Sequence, residues 1–334
     1  MLPEILQSVV DPGIATLPAV LDAVELRRHL DASGGRLWRS TRPEDVCVRV
    51  LTHHPGSRCT VEIALQTAGR WREFVGKVYG EDRPDVYQAM QRICQAGFGP
   101  QAEFSIPEPL AYVSALRLLV QEKVEGPRAR DVLLTGTDRE RAAAAERSAL
   151  WLARFHAEGP RPSPVSHTNH QEALWMQWSR LIAENCGSVA GKARLLCQRL
   201  EVAAGAPAPV EYCAGHGSFS PAHLILTPDR TAVFDWDGYD LADPARDVGR
   251  FVVALRRLAL GRLRSIRALD REGEVFEKTY LASAGPGVKQ RLPPHKAAAC
   301  LQLGKYHLDH RVHRWEQKLE AMLQEGFRCL GGEG

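Results

Sequence analysis

The residues able to do chemistry gather in one stretch, Ala214 to Phe251, which reads AGHGSFSPAHLILTPDRTAVFDWDGYDLADPARDVGRF. His216, Ser218, Ser220 and His223 fall close together, and Asp235, Asp237, Asp243 and Asp247 follow. The Ser218 hydroxyl can donate or accept a hydrogen bond but is no base near neutral pH. Carboxylate oxygens suit hard cations such as Mg²⁺, whereas imidazole suits transition metals such as Zn²⁺. The local elements follow from the same letters. Gly215 and Gly217 allow a sharp turn around His216, and Pro221 keeps the loop out of a regular strand. Leu224 to Leu226 reads as a short apolar strand, Thr227 to Arg230 as a turn, and Thr231 to Trp236 as a second strand whose end carries Asp235 and Asp237.

This layout resembles the catalytic segment of the aminoglycoside phosphotransferase and choline kinase-like family. That family's loop reads H-G-D-x-x-x-x-N, and its next strand ends in I-D-W. The resemblance implies a protein-kinase-like fold, with phosphoryl transfer from ATP with Mg²⁺ to a hydroxyl acceptor. HGSFSPAH departs from the pattern at two places: Ser218 replaces the catalytic Asp, and His223 replaces the metal-binding Asn. His216 matches the family's structural His, and Ser220 stands where many members carry a second His. Asp235, followed by Trp236, matches the metal-binding Asp. LADPARDVG resembles G-D-P-x-x-D-L, in which Asp243 caps the next helix, with Pro244 at its first position, and the residue matching Asp247 orients the catalytic loop. The resemblance thus assigns Ser218 and His216 to the catalytic loop and Asp235 and His223 to the metal.

The elements that must position these groups read as α+β: a small antiparallel-sheet N-lobe, then a larger, mainly helical C-lobe. Residues 1–44 have helical periodicity through Leu17, Val20, Leu21, Val24, Leu26 and Leu30, predicting an amphipathic helical extension. Residues 45–126 form the N-lobe. Val46 to Leu51, Thr60 to Leu65 and Trp71 to Tyr79 read as a meander, Asp85 to Gln95 as a helix, and Pro109 to Val113 and Leu116 to Gln121 as two further strands. Gly126-Pro127 marks the lobe boundary, and residues 127–334 form the C-lobe. Its helices are expected at Asp138 to His156, Gln171 to Glu184, Ala190 to Ala203, Asp247 to Leu260 and, as a last block, Pro294 to Leu330. A proline-rich loop runs from Pro160 to Pro164. By the resemblance, Lys77 on the third strand is the nucleotide lysine, backbone near Glu122 and Val124 meets the base, and an acceptor lies against helices between about Thr168 and Ala203, where Trp175 and Trp178 form either an apolar wall or core. ALWLARFHAEG resembles the family's L-A-x-L-H helix and gives His156 a packing role.

Three elements fall short of the family. The loop THHPGSRC has a single glycine, the helix Asp85 to Gln95 has no Glu for Lys77, and HGSFSPAH has lost its Asp. Two readings stand. One is a pseudokinase-like protein that binds ATP and Mg²⁺ with impaired or absent transfer, with a possible protein partner. The other is an active kinase for a hydroxylated small molecule, such as an amino sugar or a natural-product intermediate. The 334 residues carry a net charge of +3, too near neutral for a nucleic-acid partner. No apolar run suits a membrane span and the N-terminus lacks a secretory pattern. Eight cysteines without C-x-x-C spacing suit reduced thiols, so a cytoplasmic protein is expected. The basic run Arg256, Arg257, Arg262, Arg264, Arg267 reads as a solvated helix and loop, and the triplet His307, His310, His313 as a solvated or partner-facing helix.

Overall fold

The alternation of apolar and polar residues after Asp45 builds three long strands: β1 (Asp45–His54), β2 (Arg58–Thr67) and β3 (Arg70–Tyr79). The computed structural model describes residues 10–33, 43–162, 171–205, 210–284, 286–311 and 313–332. Residues 1–9 and 34–42 of the expected extension, Ser163 and Pro164 of the proline-rich loop, and Thr168 to His170 of the expected acceptor region lie outside them. The chain divides into two compact units between Glu125 and Gly126.

In the first unit, α1 (Leu17–Leu21) and α2 (Ala23–Ser33) precede β1. A single helix was expected here. Asp22 breaks it: its backbone is extended, and its carboxylate accepts hydrogen bonds from the N–H groups of Val24 (2.9 Å) and Glu25 (3.0 Å), starting a new helix. After β3 come α3 (Pro84–Ile93), β4 (Phe104–Ser105), β5 (Pro109–Val113) and β6 (Leu118–Glu122). The sheet has the order β1-β2-β3-β6-β5, antiparallel throughout. Val46, Val48, Cys59, Val61, Ile63, Leu65, Phe74 and Val78 form its buried face, which packs with Ile14, Leu17, Val20, Leu26 and Leu30. Lys77 lies between Gly76 and Val78, so it projects from the opposite face. Gly76 has no room for a side chain, since a Cβ there would sit 2.8 Å from both Ile63 and Val61.

The second unit begins with α4 (Ala129–Thr135) and α5 (Asp138–Glu158), the latter started by a capping box between Thr137 and Glu140. Then follow α6 (Gln171–Asn185), α7 (Ala190–Ala204), β7 (Cys213–Gly215), β8 (Leu224–Leu226), β9 (Thr231–Val233), β10 (Asp240–Ala242), α8 (Pro244–Arg262), α9 (Asp270–Ser283), α10 (Pro286–His310) and α11 (Trp315–Cys329). β8 and β9 pair as the expected hairpin, and β10 returns to pair with β7. The helix whose pattern was read from Asp247 starts at Pro244, where the family motif placed its first position, with Asp243 capping it by accepting from Ala245 N–H at 2.8 Å. The expected last helical block is two helices, and the first starts before Pro293 and Pro294 and carries both inside it. Sequence reasoning missed α9 altogether.

Trp175 belongs to the core with Ile182, Leu196, Leu301 and Phe327, and Trp178 packs against that cluster; neither forms an open wall. Two expectations of solvation are corrected. His307 is buried, on the side of α10 that faces its neighbours, while His310 is exposed. Arg256 is tied to the buried Glu325, and Arg257 lies 4.5 Å over the Tyr306 ring. No helix among the described residues is long and apolar enough to cross a membrane.

Candidate active site

An aromatic cluster fixes the loop that carries His216, Ser218 and His223. Phe219 and Trp236 flank Trp151, with ring centroids 5.9 Å away in each case, and Phe219 also meets Phe251 at 5.4 Å. These rings are fully or almost fully buried. Phe219 therefore pins the loop from within, while the polar residues on either side of it are left to the site. Gly217 sits at φ +78°, and a Cβ there would lie 2.2 Å from the Gly238 carbonyl oxygen, so the turn requires glycine.

Asp247, on the first turn of α8, holds the loop backbone. Its carboxylate accepts from the N–H groups of His216 (2.6 Å) and Gly217 (3.1 Å) and is 1% exposed. Burial pushes this carboxyl up, but Arg246, His156 and His216 outweigh it and hold it well below the usual carboxylate range. His156 stands 3.5 Å from Asp247 and is hydrogen-bonded through Nδ1 to the Tyr280 hydroxyl at 2.7 Å. That pairing spans α5, α8 and α9, and no local sequence signal marks it.

His216 is wholly buried, and its Nε2 lies 3.0 Å from the Phe234 carbonyl oxygen. A carbonyl only accepts, so Nε2 carries the proton and Nδ1 offers a lone pair. That lone pair receives the Ser218 N–H at 3.3 Å and the Ser218 hydroxyl at 3.2 Å. Burial pulls the His216 pKa below its ordinary value, making Nδ1 a weak base. The same reasoning fixes His223. Its Nδ1 donates to the Ser218 carbonyl at 2.9 Å, and burial lowers its pKa to about 4, so at neutral pH Nε2 bears a lone pair. That atom faces Asp235 Oδ2 at 3.4 Å. Asp235 itself adopts a left-handed backbone, φ +73°, at the start of the short turn Trp236–Gly238.

The expected metal pair thus comes together, but its donor set is one imidazole nitrogen and one carboxylate oxygen. Mg²⁺ takes oxygen ligands in near-octahedral geometry, and the pair does not fit it. Among the described residues, no group of three or more His, Cys, Asp or Glu side chains gathers to hold a metal ion. That includes the described members of the histidine triplet.

In the first unit Lys77 is half-buried, with Nζ 5.9 Å from the centre of the Tyr79 ring. α3 carries Gln88 and Gln91 but no Glu, and its one carboxylate, Asp85, pairs with Arg83 at 3.0 Å. Glu122 ends β6: its backbone N–H donates to the Glu108 carbonyl at 2.9 Å, and its carboxylate accepts from Glu108 N–H at 3.1 Å. Val124 follows in a segment without regular secondary structure.

Comparison with known proteins agrees with this architecture. A choline/ethanolamine kinase family protein from Mesorhizobium loti shares the fold at 16% identity and TM-score 0.59, with 92% of this chain and 94% of that one aligned. A spectinomycin phosphotransferase solved with ADP and spectinomycin does so at 11% identity and TM-score 0.60, over 92% and 94% of the two chains. A choline kinase from Cryptosporidium parvum gives 10% identity and TM-score 0.61, over 92% and 95%. No curated protein matches the chain in sequence. The family model described as phosphotransferase enzyme family matches residues 63–282, from within β2 onward and with the whole loop-and-hairpin segment included. With a mixed α+β, kinase-like fold and a match over well over half its length, the chain belongs to the phosphotransferase enzyme family.

Proposed function

We propose that this member of the family binds a nucleotide but transfers its phosphoryl group poorly or not at all. The observation that carries this reading is the state of Ser218. Its hydroxyl hydrogen-bonds to the His216 lone pair, and HGSFSPAH contains no carboxylate. Proton removal from an acceptor hydroxyl by a positioned base is worth about 10²–10⁴ in rate. Neither Ser218 nor the weakly basic, fully buried His216 supplies it. Lys77 is assigned to the nucleotide phosphates, and backbone near Glu122 and Val124 to the base. Asp235 brings a carboxylate, but the His223–Asp235 pair is not a Mg²⁺ site, and the reading assigns no step to that cation.

One observation favours the alternative, an active kinase for a hydroxylated small molecule. With its proton directed at His216, Ser218 Oγ keeps lone pairs that can accept from an acceptor hydroxyl and orient it. Spectinomycin and choline are the acceptors named for the structural relatives, and an amino sugar or similar metabolite is the corresponding class here. A protein partner belongs only to the first reading.

Calorimetry with ATP, in the presence and absence of Mg²⁺, tests nucleotide binding, with Lys77→Ala and Asp235→Ala as controls. The proposal expects binding that Lys77→Ala abolishes. It also expects the double variant Ser218→Asp/His223→Asn to exceed the native protein by at least tenfold in phosphorylating a panel of hydroxylated acceptors. Native turnover equal to the double variant's would overturn the first reading in favour of the second. Absence of ATP binding would overturn both.

A further inference from the structure

A cavity of about 410 Å³ lies within the second unit, where the ends of α5 and α9 meet the starts of β7, α8 and α10. That volume suits a small metabolite. Small residues at Ala153, Ala157, Gly159 and Ala284 leave the space, and none of His216, Ser218, His223 and Asp235 lines it. The most buried part of the lining is Tyr280 and His156. Arg291 lines it too. Its Nε and Nη2 are taken by the Asp243 carboxylate, at 2.6 and 3.3 Å, whereas Nη1 has no hydrogen-bond partner among the described residues. Gly287 gives that nitrogen room, since a Cβ there would meet Nη1 at 3.0 Å. Arg161, Glu211 and Tyr212 are the exposed members of the lining, and Arg161 faces Glu211 at 3.9 Å.

Charge decides what such a cavity can hold. Arg291 is balanced by Asp243 and Arg161 by Glu211, so the lining is close to neutral. An ion would bring a charge without a partner, but hydroxyl groups would meet donors and acceptors alike. Arg291 Nη1 and Arg161 donate, the Glu211 carboxylate accepts, and the Ser283 hydroxyl does either. The Tyr212 ring adds a flat apolar face for the C–H groups of a sugar-like ring. The cavity also reaches the catalytic loop. With His156 Nε2 turned to Asp247 at 3.5 Å, Nδ1 accepts from the Tyr280 hydroxyl at 2.7 Å. Asp247 in turn accepts from the His216 and Gly217 N–H groups. Ordering of Tyr280 and His156 by an occupant therefore bears on the loop through Asp247.

We propose that this cavity is a second binding site, for a neutral polyhydroxylated molecule of monosaccharide size, whose occupancy steadies the His216–Ser218 loop through Tyr280, His156 and Asp247. The site is separate from the one assigned to phosphoryl transfer, and its occupation needs neither nucleotide nor turnover.

The test uses the full native chain without nucleotide, and D-glucose, D-mannose, D-galactose and myo-inositol as probes, with citrate as the anionic comparison. Saturation-transfer NMR should show binding of at least one of the four polyols and weaker or no binding of citrate. Hydrogen–deuterium exchange of the peptide carrying His216 and Gly217 should slow when that polyol is added. Ala153→Phe fills the cavity and should abolish both effects. Tyr212→Ala and Arg161→Ala alter exposed residues, leave the thermal midpoint in place and should each weaken binding by about tenfold. Failure of all four polyols to bind would overturn the proposal, as would citrate binding more tightly than any of them. Binding that survives both Ala153→Phe and Tyr212→Ala would place the polyol elsewhere and overturn it equally. Binding with unchanged exchange at His216 and Gly217 would refute the link to the loop.

Discussion

Replacing Asp247 by alanine should cost about 4 kcal/mol of stability. The carboxylate satisfies two buried backbone donors, His216 N–H and Gly217 N–H, and alanine leaves both without an acceptor. Each orphaned donor costs about 1–3 kcal/mol, and loss of one partner from a buried charge network costs roughly 3–5 kcal/mol. The two figures describe the same loss and are not summed. For a unit the size of residues 126–334 the thermal midpoint moves by about 2–4 °C per kcal/mol, so a fall of roughly 8–16 °C is expected. Asp247→Asn keeps one acceptor oxygen and should fall about half as far. The folded carboxyl lies below its unfolded value, so its contribution is complete above about pH 4 and is lost as the pH drops further. The gap between native and Asp247→Ala should therefore stay constant from pH 7 to about 4 and narrow below it. Thermal unfolding followed by circular dichroism across that range is the assay. A drop of less than 2 °C at pH 7 would refute the view that this carboxylate holds the loop.

His307 is 3% exposed and neither ring nitrogen has a hydrogen-bond partner among the described residues; burial, with Arg257, Lys318 and His310 nearby, lowers its pKa to about 4. Its unfolded form binds a proton first, so stability should drop by up to about 3 kcal/mol between pH 6.5 and 4, and His307→Leu should flatten that part of the profile. Gly217→Ala should cost roughly 3 kcal/mol or more in denaturant titration, because its Cβ would strike the Gly238 carbonyl at a left-handed backbone position. Thr137→Ala removes half of the capping box and should cost about 1 kcal/mol, visible as a lower thermal midpoint.

Where sequence and structure agree, the signal is local. The β8–β9 hairpin, the Asp243 cap with Pro244 behind it, and the meander of β1 to β3 all follow from turn residues and period-two alternation over a few positions. Where the sequence was silent, the cause is distance along the chain. Nothing near His156 announces Tyr280 or Asp247. Arg256 and Arg257 look like a solvated basic run until Glu325 and Tyr306 arrive from other helices. Pro293 and Pro294 argued for a helix start, yet α10 runs through them. The substitutions at Ser218 and His223 were legible at once. Which lone pairs they present was not, because that depends on the Phe234 and Ser218 carbonyls fixing two imidazole tautomers.

The helices ahead of the first strand bear on where this chain can be cut. Ile14, Leu17, Val20, Leu26 and Leu30 are all 0% exposed, and they pack in one buried cluster with residues from the five-stranded sheet. At about 2 kcal/mol for each buried aliphatic side chain, they contribute roughly 10 kcal/mol, which is the entire margin of a typical domain. The family match begins only at residue 63, inside β2. A fragment started at β1 would leave Val48, Val61, Ile63 and Phe74 facing water as an adhesive surface, and one trimmed to the match would lose β1 as well. Any shortened version intended for crystallisation or binding work has to begin upstream of Ile14.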